Sequence, residues 1–576
     1  MALIVSAGFS AGFRHRIPPN EWGRFVFALS SVLTANEYGL AGFVSYEPVE
    51  AALRAGGLTN NANILSDLGT TFPENLYDPH LIESAMARAS RLDLPIPALE
   101  FQNEAFNVRP AAGEDLGLIA LATIAFKLIS PSIKGIYFGY LFLLGTSVLL
   151  FWCAFNSDRS YTSVLLLMCA VMYVLFVSPL FPGNPKTFGS GAAWTTPLSG
   201  HFLSTLALVP ALHIMAVNCR GSKASAGQML CLGGQALILY MAFRMRLSSV
   251  WVLGPICCAA IFFYMQRKKA PSSSSLEMTL RHYNSAPRES AWAVSSFLRS
   301  LGERFPERAA ACWPSLLVLL IAIGIHNIFQ SQLHPLYHNG NNLTRHVFWT
   351  EVYYGLQSHP QWSTKYASTH LIKGEIATGD DVPMAAVVMY LDNHPEIDRG
   401  QVTGPTGNLY WGAIEHYSML ALWDFVRNDP WFVAESIAYK ARGVVSVLAA
   451  APLWVVASLS VPEVLLLVIL ALWAVYALAT AGEPERSSFR SYLLLLCLCV
   501  PAACVPNLAS IVGWELMADA ITVWLLVFLV LVVYFASTLV RSSFATRLIV
   551  AAVAAKFIAT TRDSLKIVGS GLGARR

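Results

Sequence analysis

The sequence predicts an all-α polytopic membrane protein, a bundle of about 11–13 transmembrane helices with two helical exported insertions, each span needing roughly 20 apolar residues. Three observations predict it. Of 576 residues 55% are apolar and only 13% charged, with mean hydropathy +0.51, whereas an ordinary soluble domain has about 25% charged residues. The apolar excess is spread over about a dozen runs long enough to cross the hydrocarbon. Two long polar segments interrupt them. The 38 Gly and 30 Pro are near average usage and follow no short period, which excludes collagen, coiled coil and disorder. A net charge of +4 is too mild to imply a nucleic-acid partner.

In chain order, residues 1–44 form the N-terminus and a first span at 24–44, which contains Asn36 and Glu37. The start, Met1–Phe13, lacks the basic flank of a signal peptide and reads as an uncleaved, interfacial segment. An exported segment at 45–134 follows, then a transmembrane bundle at 135–265 with spans at 135–155, 161–181, 200–218, 227–243 and 247–265. The loop 266–312 is basic, with eight Lys and Arg against four Glu over 267–308. It marks the cytoplasmic side, because Lys and Arg are retained there in short connections. Arg14, Arg16 and Arg24 put the N-terminus on that side, and Arg159, Arg220 and Lys223 do the same for their loops. One span at 313–331 leads to a second exported region at 332–442, and 443–576 forms a C-terminal bundle with spans at 443–460, 464–481, 491–513, 516–540 and 545–560. Strict alternation beyond 443 would leave Arg486, Arg490, Arg541 and Arg547 outside. Pro501 and Pro506 would divide their span into a re-entrant pair.

Both insertions are acidic, helical and free of cysteine. All ten Cys lie in or beside apolar runs and none has zinc-ligand spacing. In the first insertion Asp78-Pro79 caps an amphipathic helix through Leu92. Glu114-Asp115 then opens a run from Leu116 to Ile129 with Gly117, Ala120, Thr123 and Lys127 on one stripe, read as an interfacial helix. In the second, a helix starts at Pro383, another covers Tyr410–Val426, and Asp429-Pro430 caps a third running toward 443. No useful strand pattern appears.

Four groups of residues are candidates for chemistry. Glu114 and Asp115 are adjacent carboxylates at the head of a helix, suited to a general base at the water boundary or simply to a helix cap. Asp67, Glu74, Asp78 and Glu104 are weaker acids of the same kind. Arg244 and Arg246 sit at an exported turn where positive charge is unusual, so they call for an anion such as a phosphate; the alternative is snorkelling to headgroups. His326, His334, His338 and His346, with Asn341, Asn342 and Arg345, gather after the 313–331 span, fit to hold sugar hydroxyls or a phosphate or to be plain surface residues. Pro335 between His334 and His338 argues against a metal pair on one helix, so no metal ligand is assigned. Walker A, GxSxG and GxGxxG patterns are absent. Asn342-Leu343-Thr344 is a glycosylation sequon by pattern alone.

Gly113-Glu-Asp-Leu-Gly117 before the predicted interfacial helix and Arg244-Met-Arg246 at an exported turn resemble the GT-C class of polytopic glycosyltransferases. Arg345–Leu356 and Asp424–Pro430 resemble uncharacterised bacterial membrane proteins of that build. The likeness covers about 110–450, and the stretch before Glu114 is longer than the class usually has. The resemblance implies membrane lipid and a polyprenyl-phosphate sugar donor as partners, a glycan, lipid or protein acceptor, and a bacterial inner-membrane location. It also implies a carboxylate at Glu114 or Asp115 as base, with Arg244, Arg246 and Arg345 neutralising the leaving phosphate. It names no cofactor beyond the option of a divalent cation. A transporter or flippase, and a non-catalytic assembly factor, are the alternatives from other classes.

Overall fold

The computed structural model describes residues 54, 59, 63, 116–130, 133–177, 205–220, 226–245, 247–266, 320–328, 331, 348–372, 374–379, 381–402, 411–459, 461–509 and 517–542. Those residues are overwhelmingly helical. The predicted first span, the helix after Asp78, the basic loop and the run at 545–560 lie outside them.

The first half begins with α1 (Leu116–Leu128), α2 (Ile133–Phe155) and α3 (Arg159–Val177), followed by α4 (Thr205–Arg220) and α5 (Ala226–Met245). A 3-10 turn, Leu247–Val252, then leads into α6 (Leu253–Gln266), and a helical segment covers 320–328. Among the described residues five helices are long and apolar enough to cross a membrane: Phe138–Phe155, Ala226–Met245, Glu463–Thr480, Glu485–Ala509 and Asp519–Arg541. Shorter apolar helices fill the spaces between them. Helix α1 starts within a residue of the expected start, but only Ile124, Lys127 and Leu128 are exposed on it. Of the stripe on it, Gly117 and Thr123 are buried, Ala120 is half-buried and Lys127 is exposed. Gly117 and Thr123 are buried against α5 and α2, and the Thr123 hydroxyl donates to the Ile119 carbonyl at 2.8 Å.

The second polar region forms a small domain of its own. Helices α7 (Phe348–Tyr354), α8 (Trp362–Lys365), α9 (Asp381–Asn393), α10 (Arg399–Val402) and α11 (Trp411–Asn428) surround a core of Tyr353, Trp362, Val382, Ala386, Leu422 and Phe432. The helices expected from Pro383 and over 410–426 are α9 and α11, with ends shifted by one or two residues. A two-residue hairpin, β1 (Leu371–Ile372) against β2 (Glu375–Ile376), was not expected. Its turn uses Gly374 at φ 86°, a conformation that a side chain disfavours.

Helix α12 (Pro430–Ser458) begins as expected: the Asp429 carboxylate accepts from the Phe432 N–H at 3.0 Å, and Pro430 stands where no donor is needed. It runs unbroken for 29 residues. Helices α13 (Val461–Thr480), α14 (Glu483–Ala509) and α15 (Ala518–Ser542) complete the bundle. Helix α14 corrects the expected division at its prolines, continuing through both Pro501 and Pro506. The two freed carbonyls are tolerated in such a helix because the surrounding turns stay bonded and neighbours pack around it.

Contacts also fix which helix ends lie together. Arg159 donates to the Thr480 hydroxyl at 3.2 Å, Tyr161 and Ser488 share a 2.5 Å bond, and Ser488 donates to the Cys219 carbonyl at 3.1 Å. Arg490 donates to Tyr534, two turns before the end of α15. Arg159, Arg220, Arg486, Arg490 and Arg541 therefore share one end of the bundle, correcting the alternation that put Arg486, Arg490 and Arg541 opposite the first two. The other end holds Arg244 and the 3-10 turn, whose Trp251 indole donates to Asp519 at 3.1 Å.

Candidate functional site

At the end opposite the arginine cluster, the last two turns of α5 hold Tyr240 and Arg244, four residues apart and so on one helix face. The Tyr240 hydroxyl lies 3.3 Å from His326 Nδ1, with the rings edge to face at 6.3 Å between centroids. His326, singled out in the sequence, thus lies against a residue one turn from Arg244 that was not.

Helix α1 reaches the same place. A Cβ built on Gly117 would lie 2.3 Å from the Arg244 carbonyl carbon and 2.6 Å from its Cβ and oxygen. Real atoms do not approach that closely, so only glycine allows α1 to begin against the backbone of Arg244. Asp115 is the residue before α1, and Glu114 precedes it in the chain. Glu114, Asp115, Arg246, His338, Arg345 and His346 themselves lie outside the described residues, as do Asp67, Glu74, Asp78, Glu104 and His334.

Trp251 and Asp519 extend this end of the bundle. Asp519 is 6% exposed, in the first turn of α15, and serves as acceptor for the buried indole. Its sequence signal was legible: it is a carboxylate inside the predicted 516–540 span, and an acid at such depth needs a partner or a role. Tyr240 carried no comparable signal, since a tyrosine in an apolar helix is ordinary. Around the cluster Leu237, Val250 and Leu253 of the helices, and Ile323 and Ile328 of 320–328, are exposed apolar side chains. A guanidinium, a phenol and an imidazole bordered by exposed apolar surface suit a ligand with an anionic head and a greasy tail.

Two other polar clusters lie apart from this one, one in the bundle and one in the aromatic domain. Deep in the bundle the Ser147 hydroxyl donates to Gln235 Oε1 at 2.6 Å. Gln235 Nε2 returns a bond to the Ser147 carbonyl at 2.7 Å and lies 3.2 Å from His213 Nδ1. All three side chains are buried, and the His213 ring is flanked edge-on by Phe151 and Phe155. In the aromatic domain the Glu415 carboxylate accepts from the Trp349 and Thr350 N–H groups at 2.6 and 3.0 Å and from the Thr350 hydroxyl at 2.8 Å, capping α7 from α11. His370 Nδ1 faces the Tyr366 carbonyl at 2.9 Å and must carry the proton there, so Nε2 accepts from the Tyr353 hydroxyl at 2.8 Å. Burial lowers the pKa of that imidazole. Burial together with the Asp429 carboxylate, to which its hydroxyl donates, raises Tyr366 to about 12.

Among the described residues no three His, Cys, Asp or Glu side chains gather as metal ligands. Comparison of the chain with protein-family models, curated proteins and solved structures gives no match.

Proposed function

We propose that this protein is an integral membrane glycosyltransferase that moves a sugar from a polyprenyl-phosphate-linked donor to an exported glycan, lipid or protein acceptor. In this reading the full chain has 11–13 spans by the sequence count, sits in a bacterial inner membrane, and has its N-terminus in the cytoplasm. The arginine-rich end is then cytoplasmic under the rule that basic residues are retained inside, and the end with Arg244 is exported.

The observation that carries the reading is the contact of Gly117 with the Arg244 backbone. Asp115 and Glu114 stand two and three positions before Gly117 in the sequence, and the reading gives them the acid–base role at this end of α5. Asp115 or Glu114 deprotonates the acceptor hydroxyl as general base. Arg244, Arg246 and Arg345 neutralise the phosphate as it leaves, through guanidinium forks matched to its oxygens. His326, His338 and His346 hold the sugar or the phosphate. The exposed apolar side chains beside Tyr240 and His326 suit the polyprenyl tail.

The test is transfer of labelled sugar from a polyprenyl-phosphate donor in membranes carrying Asp115→Asn, Glu114→Gln or both. Loss of transfer at unchanged membrane expression is expected, and full activity of the double variant would remove the assignment. One observation favours a second reading as a transporter: Ser147, Gln235 and His213 form a buried polar set inside the helices, and such sets mark solute paths. Detergent solution separates the two, because a transferase still makes product where no compartments exist and a transporter does not.

A further inference from the structure

The structure assigns α12 (Pro430–Ser458) to the membrane as a helix that does not traverse it, lying along the face of Arg244 and His326 with both its ends on that face and its outer flank in lipid. This inference uses helix directions only and does not depend on the transferase reading.

The direction of the preceding chain is fixed first. Gly233 faces Ile321 and Tyr240 faces His326, so 320–328 runs parallel to α5 and leaves at the Arg244 end. Residues 332–347 are polar and too few to cross back, since a span needs about 20 apolar residues. The aromatic domain is one packed unit that includes Phe432, in the first turn of α12. Its side of the bundle is therefore the Arg244 side, and α12 starts there.

The end of α12 is fixed by α13. Thr480, in the last turn of α13, is bonded to Arg159, in the first turn of α3, and the two helices pack along their lengths. Helix α13 thus finishes at the arginine end. At 20 residues it is about 30 Å long, so Val461 lies at the opposite end. Only Leu459 and Ser460 separate Val461 from α12, whose last residue is consequently on the side where its first residue lies.

The surface of α12 agrees with this path. Phe432, Ser436, Lys440, Val444, Leu448 and Ala451 are buried along one face, first against the aromatic domain and then against α14 and α15. Its other flank exposes Val445, Leu453 and Val456 at 64% or more. That apolar flank continues into Val461, Leu465 and Ile469 of α13, a helix long and apolar enough to span. Lipid that meets α13 meets α12 too. The expected crossing at 443–460 is replaced by a half-inserted helix, and the arginines of the last third fall on the basic side.

Two measurements on the full-length protein in native membrane vesicles test this. Ser157→Cys, Arg427→Cys and Gly482→Cys are made singly and treated with a membrane-impermeant maleimide, with the parent chain as blank. The inference requires 157 and 482 to be labelled from one side and 427 from the other; labelling of 427 and 482 from the same side would mean that α12 crosses and would overturn it. Spin labels at 445, 453 and 456 then report the surroundings. Relaxation by oxygen but not by a water-soluble nickel chelate supports lipid contact, and relaxation by the chelate, or by neither agent, rejects it. All three maleimide positions are exposed, so equal membrane expression of the variants keeps the result interpretable.

Discussion

The aromatic domain and the helical bundle solve the same packing problem with different forces. In the domain, apolar side chains were removed from water, so large rings dominate: Trp362, Tyr366, Phe425 and Phe432 lie within 4.8–6.2 Å of one another by ring centroid. Its polar groups are bonded over long sequence separations, as Glu415 is to α7. Five helices of the bundle are long and apolar enough to cross a membrane, and in lipid, whose tails are as apolar as leucine, burial of apolar surface would give little net drive. Close approach of backbones takes over there, and Gly117 against Arg244 is its clearest instance. The lesson is that one chain is stabilised by side-chain size in one region and by side-chain absence in the other.

The largest effect should come from breaking the aromatic half. Phe432→Ala removes a ring 1% exposed from the hub that joins α8, α11 and α12, and is expected to cost about 3–5 kcal/mol. Tryptophan fluorescence during denaturant unfolding would read this, and a cost near zero would mean that the domain does not fold around that ring. The opposite change in the bundle adds a single methyl. Gly117→Ala forces α1 away from α5 and is expected to cost about 1–3 kcal/mol, seen as a lower Tm in detergent. On the proposed transferase reading, donor affinity should fall in the same variant, because the displaced backbone is that of Arg244. An alanine that left both unchanged would show that the close approach is not maintained in solution.

Acid sharpens the contrast with the smallest effect. His370 is held neutral with a lowered pKa, mainly by burial, so the unfolded chain takes up a proton near 6.5 while the folded domain resists it. Stability from this group is present above that pH and declines as pH falls below it. Asp429 adds a loss at lower pH: its pKa is depressed by the Tyr366 hydroxyl and then by the Phe432 N–H, and that stabilisation fades as the carboxylate protonates below its ordinary 3.8. Hydrogen-exchange protection in the aromatic domain, taken relative to the intrinsic rate at each pH, should therefore be lower at pH 5 than at pH 7. His370→Asn should flatten the dependence between those two values, and an unchanged pH response would refute the assignment.

What the sequence determined by itself were the features written in local chemistry. The start of α1, the Asp429-Pro430 cap and the span cores of α2, α5, α13 and α15 follow from neighbouring residues, because capping and hydrophobic length are read within a turn or two. Arg244 and His326 were legible as types out of place. The tertiary structure alone decided that His326 lies against Tyr240, one turn before Arg244: Tyr240 and His326 are 86 residues apart, and no local pattern encodes which helix packs beside which. It also decided that Arg486 and Arg490 share an end with Arg159, since sidedness depends on whether a helix such as α12 crosses. That choice is made by the contacts at its two ends and not by its own hydropathy.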